Sequence, residues 1–320
     1  MNQRSKLSSK VCVVGAGQVG STFAYALMIR GLASQIVLID INEKLAQGQA
    51  EDMSHGLPYV RPAQIYAGDY SECTDADIVV ITAGAAQKPG ETRLDLTKKN
   101  VDIFSKIVPN ITKYTKDAIL LVVSNPVDVL TYATVKFSDL SPERVIGSGT
   151  TLDSSRFRYL LSRHCNVDPR NVHAYILGEH GDSEVPAWSL VHISGIQLDD
   201  YCKSTCPQNC DPEIRNTIVD QVRRAAYHLI EKKGATYHAI GLATVTVLES
   251  IFRNQNTIFT VSTYLENYLG IKDVCLSIPA QINRNGVSNK VKVPLTDSEY
   301  EALQHSADVI KEAIQKSGLT

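Results

Sequence analysis

The chain has 320 residues, 43% hydrophobic and 21% charged, so it can bury a substantial core and is expected to divide into two domains. Lys and Arg total 32 against 34 Asp and Glu, a formal charge of -2; this excludes an electrostatic footprint for nucleic acid or an anionic membrane surface, so an anionic ligand must meet locally placed arginines. No run approaches a membrane span, the first ten residues lack the apolar stretch of a signal peptide, and an odd seven cysteines suit a reducing compartment, so a cytoplasmic protein is expected.

In chain order, residues 11–14, 36–39, 78–82 and 119–123 are short apolar, β-branched runs separated by amphipathic stretches, the pattern of a mostly parallel sheet with crossover helices. Gly15-Ala16-Gly17-Gln18-Val19-Gly20 follows the first run and opens an apolar helix through Phe23, Ala24 and Leu27. The glycines permit a tight turn and let the backbone approach a pyrophosphate at the helix N-terminus. The second run ends at Asp40, which can accept hydrogen bonds from a ribose diol and would repel a 2′-phosphate, so NAD rather than NADP is expected. The alternative is that the glycines only shape a turn and Asp40 caps the next helix. Gly84, after the third run, fits the same crevice at the carboxyl ends of the strands.

Gln87-Lys88-Pro89-Gly90-Glu91-Thr92-Arg93 then sets a neutral amide and a guanidinium six positions apart, within an active-site loop expected over 84–97 that reads as a mobile lid. The rhythm changes to longer helices after about residue 147, and Gly147-Ser148-Gly149 marks a tight junction, dividing the chain at 1–147 and 148–320. Asp153 and Arg156, three apart, share the face of an amphipathic helix: the carboxylate can orient an imidazole and the guanidinium can hold a substrate carboxylate bidentately, although the two could instead pair on a solvated helix. Arg158 lies roughly 200° around the helix from Arg156, so the two cannot both face a substrate and one must look elsewhere.

Gly178-Glu179-His180-Gly181-Asp182 follows the apolar run 174–177 and places one histidine between glycines, where an imidazole can exchange a proton in a carbonyl–alcohol interconversion. Cys202, Cys206 and Cys210 recur at every fourth residue, but Pro207 spoils a regular helix and no histidine lies close in sequence, so no metal is expected and incidental thiols are the reading. Gly234 interrupts a long helical pattern and could expose Thr236, or is a simple helix break. Asn285-Gly286 predicts a hairpin between 274–283 and 287–293, and Thr296 with Glu299 announces a final helix with Leu303, Ala307, Ile310 and Ile314 on one face.

GAGQVG, QKPGETR at 87–93, SNPVD at 124–128, LDSSRFR at 152–158 and GEHGD, in this order and over essentially the whole chain, resemble the lactate and malate dehydrogenase family, closest to its bacterial-type NAD-dependent L-lactate dehydrogenases. The short segment before Val11 also resembles bacterial rather than vertebrate members. The resemblance implies an α/β fold, an N-terminal Rossmann domain with a C-terminal mixed α/β substrate domain, and a homotetramer. It implies an enzyme of glycolysis and fermentation that reversibly transfers hydride between NADH and pyruvate, giving L-lactate and NAD.

By that resemblance His180 is the acid/base, Asp153 its partner, Arg156 the anchor of the substrate carboxylate and Arg93 the group that polarises the carbonyl. Asn125 contacts the reacting oxygen and the cofactor, and Thr236 lines the pocket opposite Gln87. Malate-handling relatives carry arginine at the place of Gln87. Enclosing the second carboxylate of oxaloacetate without that charge costs several kcal/mol, so pyruvate is expected to win by orders of magnitude. Larger 2-oxo acids stay open, since a methylene is discriminated by only about 1–3 kcal/mol. Arg158 and His173 resemble a subunit-interface site for fructose 1,6-bisphosphate in bacterial lactate dehydrogenases, or an inert anion-binding interface. The rival readings are a malate or other 2-hydroxy-acid dehydrogenase of this family, and a catalytically silent NAD-binding protein, which would need only the Gly15 to Asp40 apparatus.

Overall fold

The structure, a computed structural model, describes residues 9–86, 92–206 and 210–319. Its first half alternates strands and helices: β1 (Lys10–Val14), α1 (Gln18–Arg30), β2 (Gln35–Ile39), α2 (Glu43–His55), β3 (Gln64–Ala67), β4 (Ile78–Ile81), α3 (Arg93–Thr112), β5 (Ile119–Val122), α4 (Val127–Ser138) and β6 (Val145–Gly147). The second half begins with α5 (Thr151–Cys165). Five two-residue strands follow: β7 (Val172–His173), β8 (Ile176–Leu177), β9 (Val185–Pro186), β10 (His192–Ile193) and β11 (Ile196–Gln197). Then come α6 (Leu198–Ser204), α7 (Pro212–Lys233), α8 (His238–Arg253), β12 (Thr257–Leu265), β13 (Val274–Asn283), β14 (Gly286–Lys290) and α9 (Asp297–Ser317).

One nine-stranded sheet in the order β14-β13-β12-β6-β5-β4-β1-β2-β3 runs through both halves. From β3 to β6 all pairs are parallel; β12, β13 and β14 join antiparallel, with Gly147 of β6 registered on Ser262 of β12. Because side chains alternate across a strand, β1 sends Val11 and Val13 to one core and Cys12 and Val14 to the other. The first core packs under α1, α2 and α8 through Phe23, Met53 and Leu248, the second under α3, α4 and α9 through Phe104, Leu130 and Leu303. The expected mostly parallel sheet is thus present, lengthened by three antiparallel strands.

The Asn285-Gly286 turn joins β13 to β14, with Gly286 at φ +96° and a register shift at Gln281/Ile282. The Thr296–Glu299 capping box opens α9, whose Leu303, Ala307, Ile310 and Ile314 are all buried. Of the apolar stretch at 174–177 only Ile176 and Leu177 form a strand, β8; Ala174 and Tyr175 link it to β7, which belongs to a different small sheet. A third core, around Phe157, Leu161, Val172, Ile193 and Val222, joins α5 to α7 and these short strands.

Candidate active site

β1 and β4 are neighbours, while the chain winds from β1 toward β3 on one side and from β4 toward β6 on the other. The carboxyl ends of these strands therefore diverge into a crevice, the place where open α/β sheets bind ligands. A cavity of about 570 Å³ lies there, lined by Gly15, Gly17, Asp40, Thr82, Gly84 and Lys106 among others. Gly15 turns at φ +107°, and a Cβ on it would lie 2.5 Å from the Ala83 nitrogen; one on Gly20 would lie 1.9 Å from the Gly15 carbonyl oxygen. Only glycine allows the turn to sit this close to β4 and to α1.

Gly17 caps α1, with Gln18, Val19 and Gly20 in its first turn, so the free N–H groups of the helix face the crevice region. A Cβ on Gly17 would meet nothing within 4 Å, which leaves room for a phosphate against the backbone. Asp40 does not cap α2; Asn42 does. Its carboxylate accepts from the Ala16 N–H at 2.7 Å and the Asn42 N–H at 2.8 Å, which fixes it at the end of β2 beside the glycine turn. Glycine cradle, helix N-terminus and acidic residue on one cavity fit a dinucleotide with a free ribose diol.

A second cavity, of about 210 Å³, is lined by Asn125, Asp153, Arg156, His180, Glu184 and Arg223 among others. Asp153 and Arg156 stand on the first turns of α5, one turn apart. This helix is pinned to the strand that precedes His180: Ser154 Oγ accepts from the Ile176 N–H at 2.9 Å, and Thr150 Oγ1 donates to the Ile176 carbonyl at 2.5 Å. Gly178, at φ +86°, then turns the chain so that His180 comes back over α5. Two groups 27 residues apart meet, His180 Nδ1 and Asp153 Oδ2 at 2.5 Å, while Arg156 Nη1 donates to Asp153 Oδ1 at 2.7 Å.

The Asp153 side chain is 3% exposed and that of Arg156 is 14%, so their pairing is not the solvated surface contact that spacing alone allowed. Burial by itself would lower His180, but the Asp153 charge and hydrogen bond together outweigh it and lift the imidazole to about 9. Burial would raise Asp153; His180 and then Arg156 more than cancel this, and its carboxyl ends below the usual range. The three groups form a charged, mutually oriented set around the buried Asp153, with one imidazole nitrogen committed to that carboxylate and the other available to a ligand.

Other anticipated residues fall in different places. Asn125 is exposed just beyond β5, on a cis bond to Pro126; it borders the His180 cavity, and its carbonyl accepts from Asn100 Nδ2 at 2.8 Å. Thr236 is half-buried on the α7–α8 connection after the Gly234 cap and is not among the residues bordering this cavity. Gln87 lies outside the described residues, as does Lys88 to Glu91; Arg93 begins α3. Arg158 turns away from Arg156: its Nε donates to the Ala174 carbonyl at 3.1 Å and its guanidinium lies 5.6 Å from the centre of the Tyr175 ring. His173, the residue before Ala174, is exposed on β7, so the two are neighbours in space.

Four contributors escaped sequence reasoning. Asn100 on α3 accepts from the Ala85 N–H at 2.7 Å as well as reaching Asn125, tying the edges of both cavities together. Asp128 is buried and accepts from the His180 backbone N–H at 2.8 Å; desolvation pushes it up to about 6. Glu184 is 3% exposed with Oε1 lacking a hydrogen-bond partner among the described residues, and burial, then the Asp153 charge, push it up to about 8. Arg223 of α7 borders the cavity and donates to the Glu184 carbonyl at 3.0 Å. Asp128 and Glu184 sit within or beside the SNPVD and GEHGD motifs, a signal that could have raised them; Asn100 and Arg223 lie on helices whose periodicity carries none.

The cysteines also group differently from their spacing. Cys165, at the end of α5, lies with Cys202 and Cys206 so that the three sulfurs are all within 4.8 Å of one another, and Cys210 packs into the same core.

Comparison with known proteins places these features. Residues 9–147 match the family described as lactate/malate dehydrogenase, NAD binding domain, and residues 150–318 match lactate/malate dehydrogenase, alpha/beta C-terminal domain. The chain is 55% identical over 312 residues to an L-lactate dehydrogenase of Acetivibrio thermocellus, covering 97% of this chain and 98% of that protein. It is 54% identical over 308 residues to one of Thermoanaerobacter pseudethanolicus, covering 96% and 99%. Among solved structures, the minor L-lactate dehydrogenase from Enterococcus mundtii in a ligands-bound form superposes with a TM-score of 0.93 at 40% identity, over 96% of this chain and 98% of that one.

Proposed function

Since the chain belongs to the lactate/malate dehydrogenase family, we infer that it is an NAD-dependent L-lactate dehydrogenase interconverting pyruvate and L-lactate. The observation that carries the chemistry is the His180–Asp153–Arg156 set, one buried carboxylate joining an acid/base to an anion anchor. The substrate carboxylate is held by Arg156, whose remaining nitrogens offer a planar fork. The carbonyl oxygen then faces His180 Nε2 and Asn125, with Arg93 closing on the side where negative charge develops. Bound NADH supplies the hydride to the carbonyl carbon. His180 gives its proton to the oxygen as that charge forms, so pyruvate, hydride and proton become L-lactate; the reverse reaction needs neutral His180 as base.

Asp153 keeps Nδ1 protonated and stabilises the imidazolium, as the acid of a protease triad does. Gly15, Gly17, Gln18, Val19, Gly20, Asp40, Gly84 and Asn125 form the cofactor-binding set, supported by the glycine cradle at the strand ends. Gln87 and Thr236 select the substrate side chain: a neutral amide and a hydroxyl suit a methyl group and leave a second carboxylate without a counter-charge. The division into a cofactor domain, 1–147, and a substrate domain, 148–320, follows the change from parallel to antiparallel pairing after β6. Initial rates with NADH on pyruvate, oxaloacetate and longer 2-oxo acids test the reading. Pyruvate should lead oxaloacetate by orders of magnitude, and a faster rate on oxaloacetate overturns the assignment.

A cytoplasmic homotetramer, working in glycolysis and fermentation, completes the proposal. No helix among the described residues is long and apolar enough to cross a membrane. Arg158 and His173 form a fructose 1,6-bisphosphate site at a subunit interface, supported by the position of Arg158 against the strand that bears His173. Pyruvate saturation curves with and without the bisphosphate decide it: activation shifts the curve to lower pyruvate, and superimposable curves remove the effector.

A further inference from the structure

Four of the seven cysteines converge in the third core, and none of them lines either cavity. Cys165 ends α5, Cys202 lies on α6, Cys206 follows it, and Cys210 stands immediately before Asp211, the N-cap of α7. The sulfurs of Cys165, Cys202 and Cys206 all lie within 4.8 Å of one another, and Cys210, outside that trio, is buried in the same core. None of these thiols is in a disulfide. A tetrathiolate zinc site has Zn–S bonds of ~2.3 Å, hence sulfur–sulfur edges of ~3.8 Å, so a contraction of about 1 Å or less closes the trio around an ion.

We propose that Cys165, Cys202, Cys206 and Cys210 form a structural tetrathiolate site for a divalent cation of the Zn²⁺ class. Spacing along the chain hides it, because the pattern lacks paired short Cys-x-x-Cys turns and one ligand comes from a helix about forty residues earlier. In space the arrangement suits the chemistry. Cys165 and Cys210 are buried, whereas Cys202 and Cys206 are half-exposed, giving an ion a way in. Arg215, whose Nε donates to the Cys210 carbonyl at 3.1 Å, stands beside what becomes a doubly negative complex. Soft thiolates favour Zn²⁺ over Mg²⁺ or Ca²⁺.

Binding replaces four S–H bonds by four Zn–S bonds, releases up to ~4 protons to solvent and changes no oxidation state. Its role is mechanical. Among the described residues of α6 and its flanks, Leu198 and Tyr201 are the large apolar side chains that reach the third core, and the ion clasps this region to the end of α5. Both clasped helices border the His180 cavity, α5 through Asp153 and Arg156 and α7 through Arg223 and Tyr227.

The test is metal analysis of the full-length protein purified under reducing conditions, followed by titration of the chelator-stripped, reduced chain with Co²⁺. About one zinc per chain and a Co²⁺–thiolate charge-transfer band are expected. Cys206→Ser should weaken Co²⁺ binding by more than the ~10–100-fold typical of losing an outer-shell partner, and should lower the thermal midpoint of the zinc-loaded protein, with kcat on pyruvate near wild type. The wild-type titration is decisive even where a serine variant fails to fold. Absence of the charge-transfer band overturns the site, as does a metal content unchanged by Cys206→Ser. A disulfide among these cysteines in protein purified without reductant, with no metal bound, would overturn it in favour of a redox pair.

Discussion

Asp153→Asn isolates what the buried carboxylate does for His180. The asparagine keeps the shape and can still accept from the imidazole, but it removes the charge that holds His180 at about 9 against the opposing effect of burial. Without it the imidazole falls toward or below 6.5, a drop of ~2.5 pH units and a loss of roughly 3 kcal/mol of preference for the imidazolium. Pyruvate reduction consumes the protonated form, so in the wild type it holds at low pH and declines as pH rises through about 9. The variant should decline from about pH 6.5 instead. On protonation alone the two differ little at pH ~6, by ~4-fold at pH 7 and by ~100-fold or more at pH 9, with any geometric loss multiplying all points equally. The assay is kcat/KM for pyruvate followed by NADH absorbance across this range. A wild-type to variant ratio that is flat with pH would refute the electrostatic role and leave Asp153 as a positioning residue only.

Removing the acid at the end of β2, as Asp40→Ser, should lower the preference for NADH over NADPH by ~10- to 100-fold, because a like-charge clash of a few kcal/mol with the 2′-phosphate disappears. Steady-state comparison of the two cofactors measures it; an unchanged ratio would move the selection elsewhere. Gly15→Ala must place a Cβ 2.5 Å from the Ala83 nitrogen at φ +107°, so it should cost about 1–3 kcal/mol of stability in thermal or denaturant unfolding. Gly17→Ala has open space around its Cβ and should instead leave unfolding nearly unchanged while weakening NADH binding, read by fluorescence titration. Gln87→Arg should shift preference toward oxaloacetate by supplying its second carboxylate with a partner; rates on both substrates decide, and a variant still indifferent to oxaloacetate would remove Gln87 as the selector.

Much of this was legible in the order of residues where the physical signal is local. A β-branched run, a glycine turn and an apolar helix are neighbours in sequence, so β1, α1 and Asp40 could be placed in advance. The hairpin at Asn285-Gly286 and the capped α9 are local in the same sense. The pairing of His180 with Asp153 came from the family resemblance and not from any local signal, because it depends on α5 being sewn to β8 through Thr150 and Ser154. Strand β6 is three residues long and β3 four, and what makes each a strand is a partner elsewhere in the chain. Asn100 and Arg223 look like ordinary polar positions on helices until the fold brings them to a cavity edge. The cysteines make the same point in reverse: an apparent series of three became a group of four once the end of α5 was seen beside them.

The register between Gly147 and Ser262 has a further consequence for motion. Because β12 continues the ladder begun by β6, and both hydrophobic cores extend across that seam, the two halves have no hinge about which to swing like the leaves of a clamshell. Closure over a ligand must be the work of segments outside the sheet. The same seam makes the halves poor candidates for separate expression: a fragment ending at Gly147 would strip β6 of its neighbour and expose a bare strand edge, the template on which chains pair with one another and precipitate.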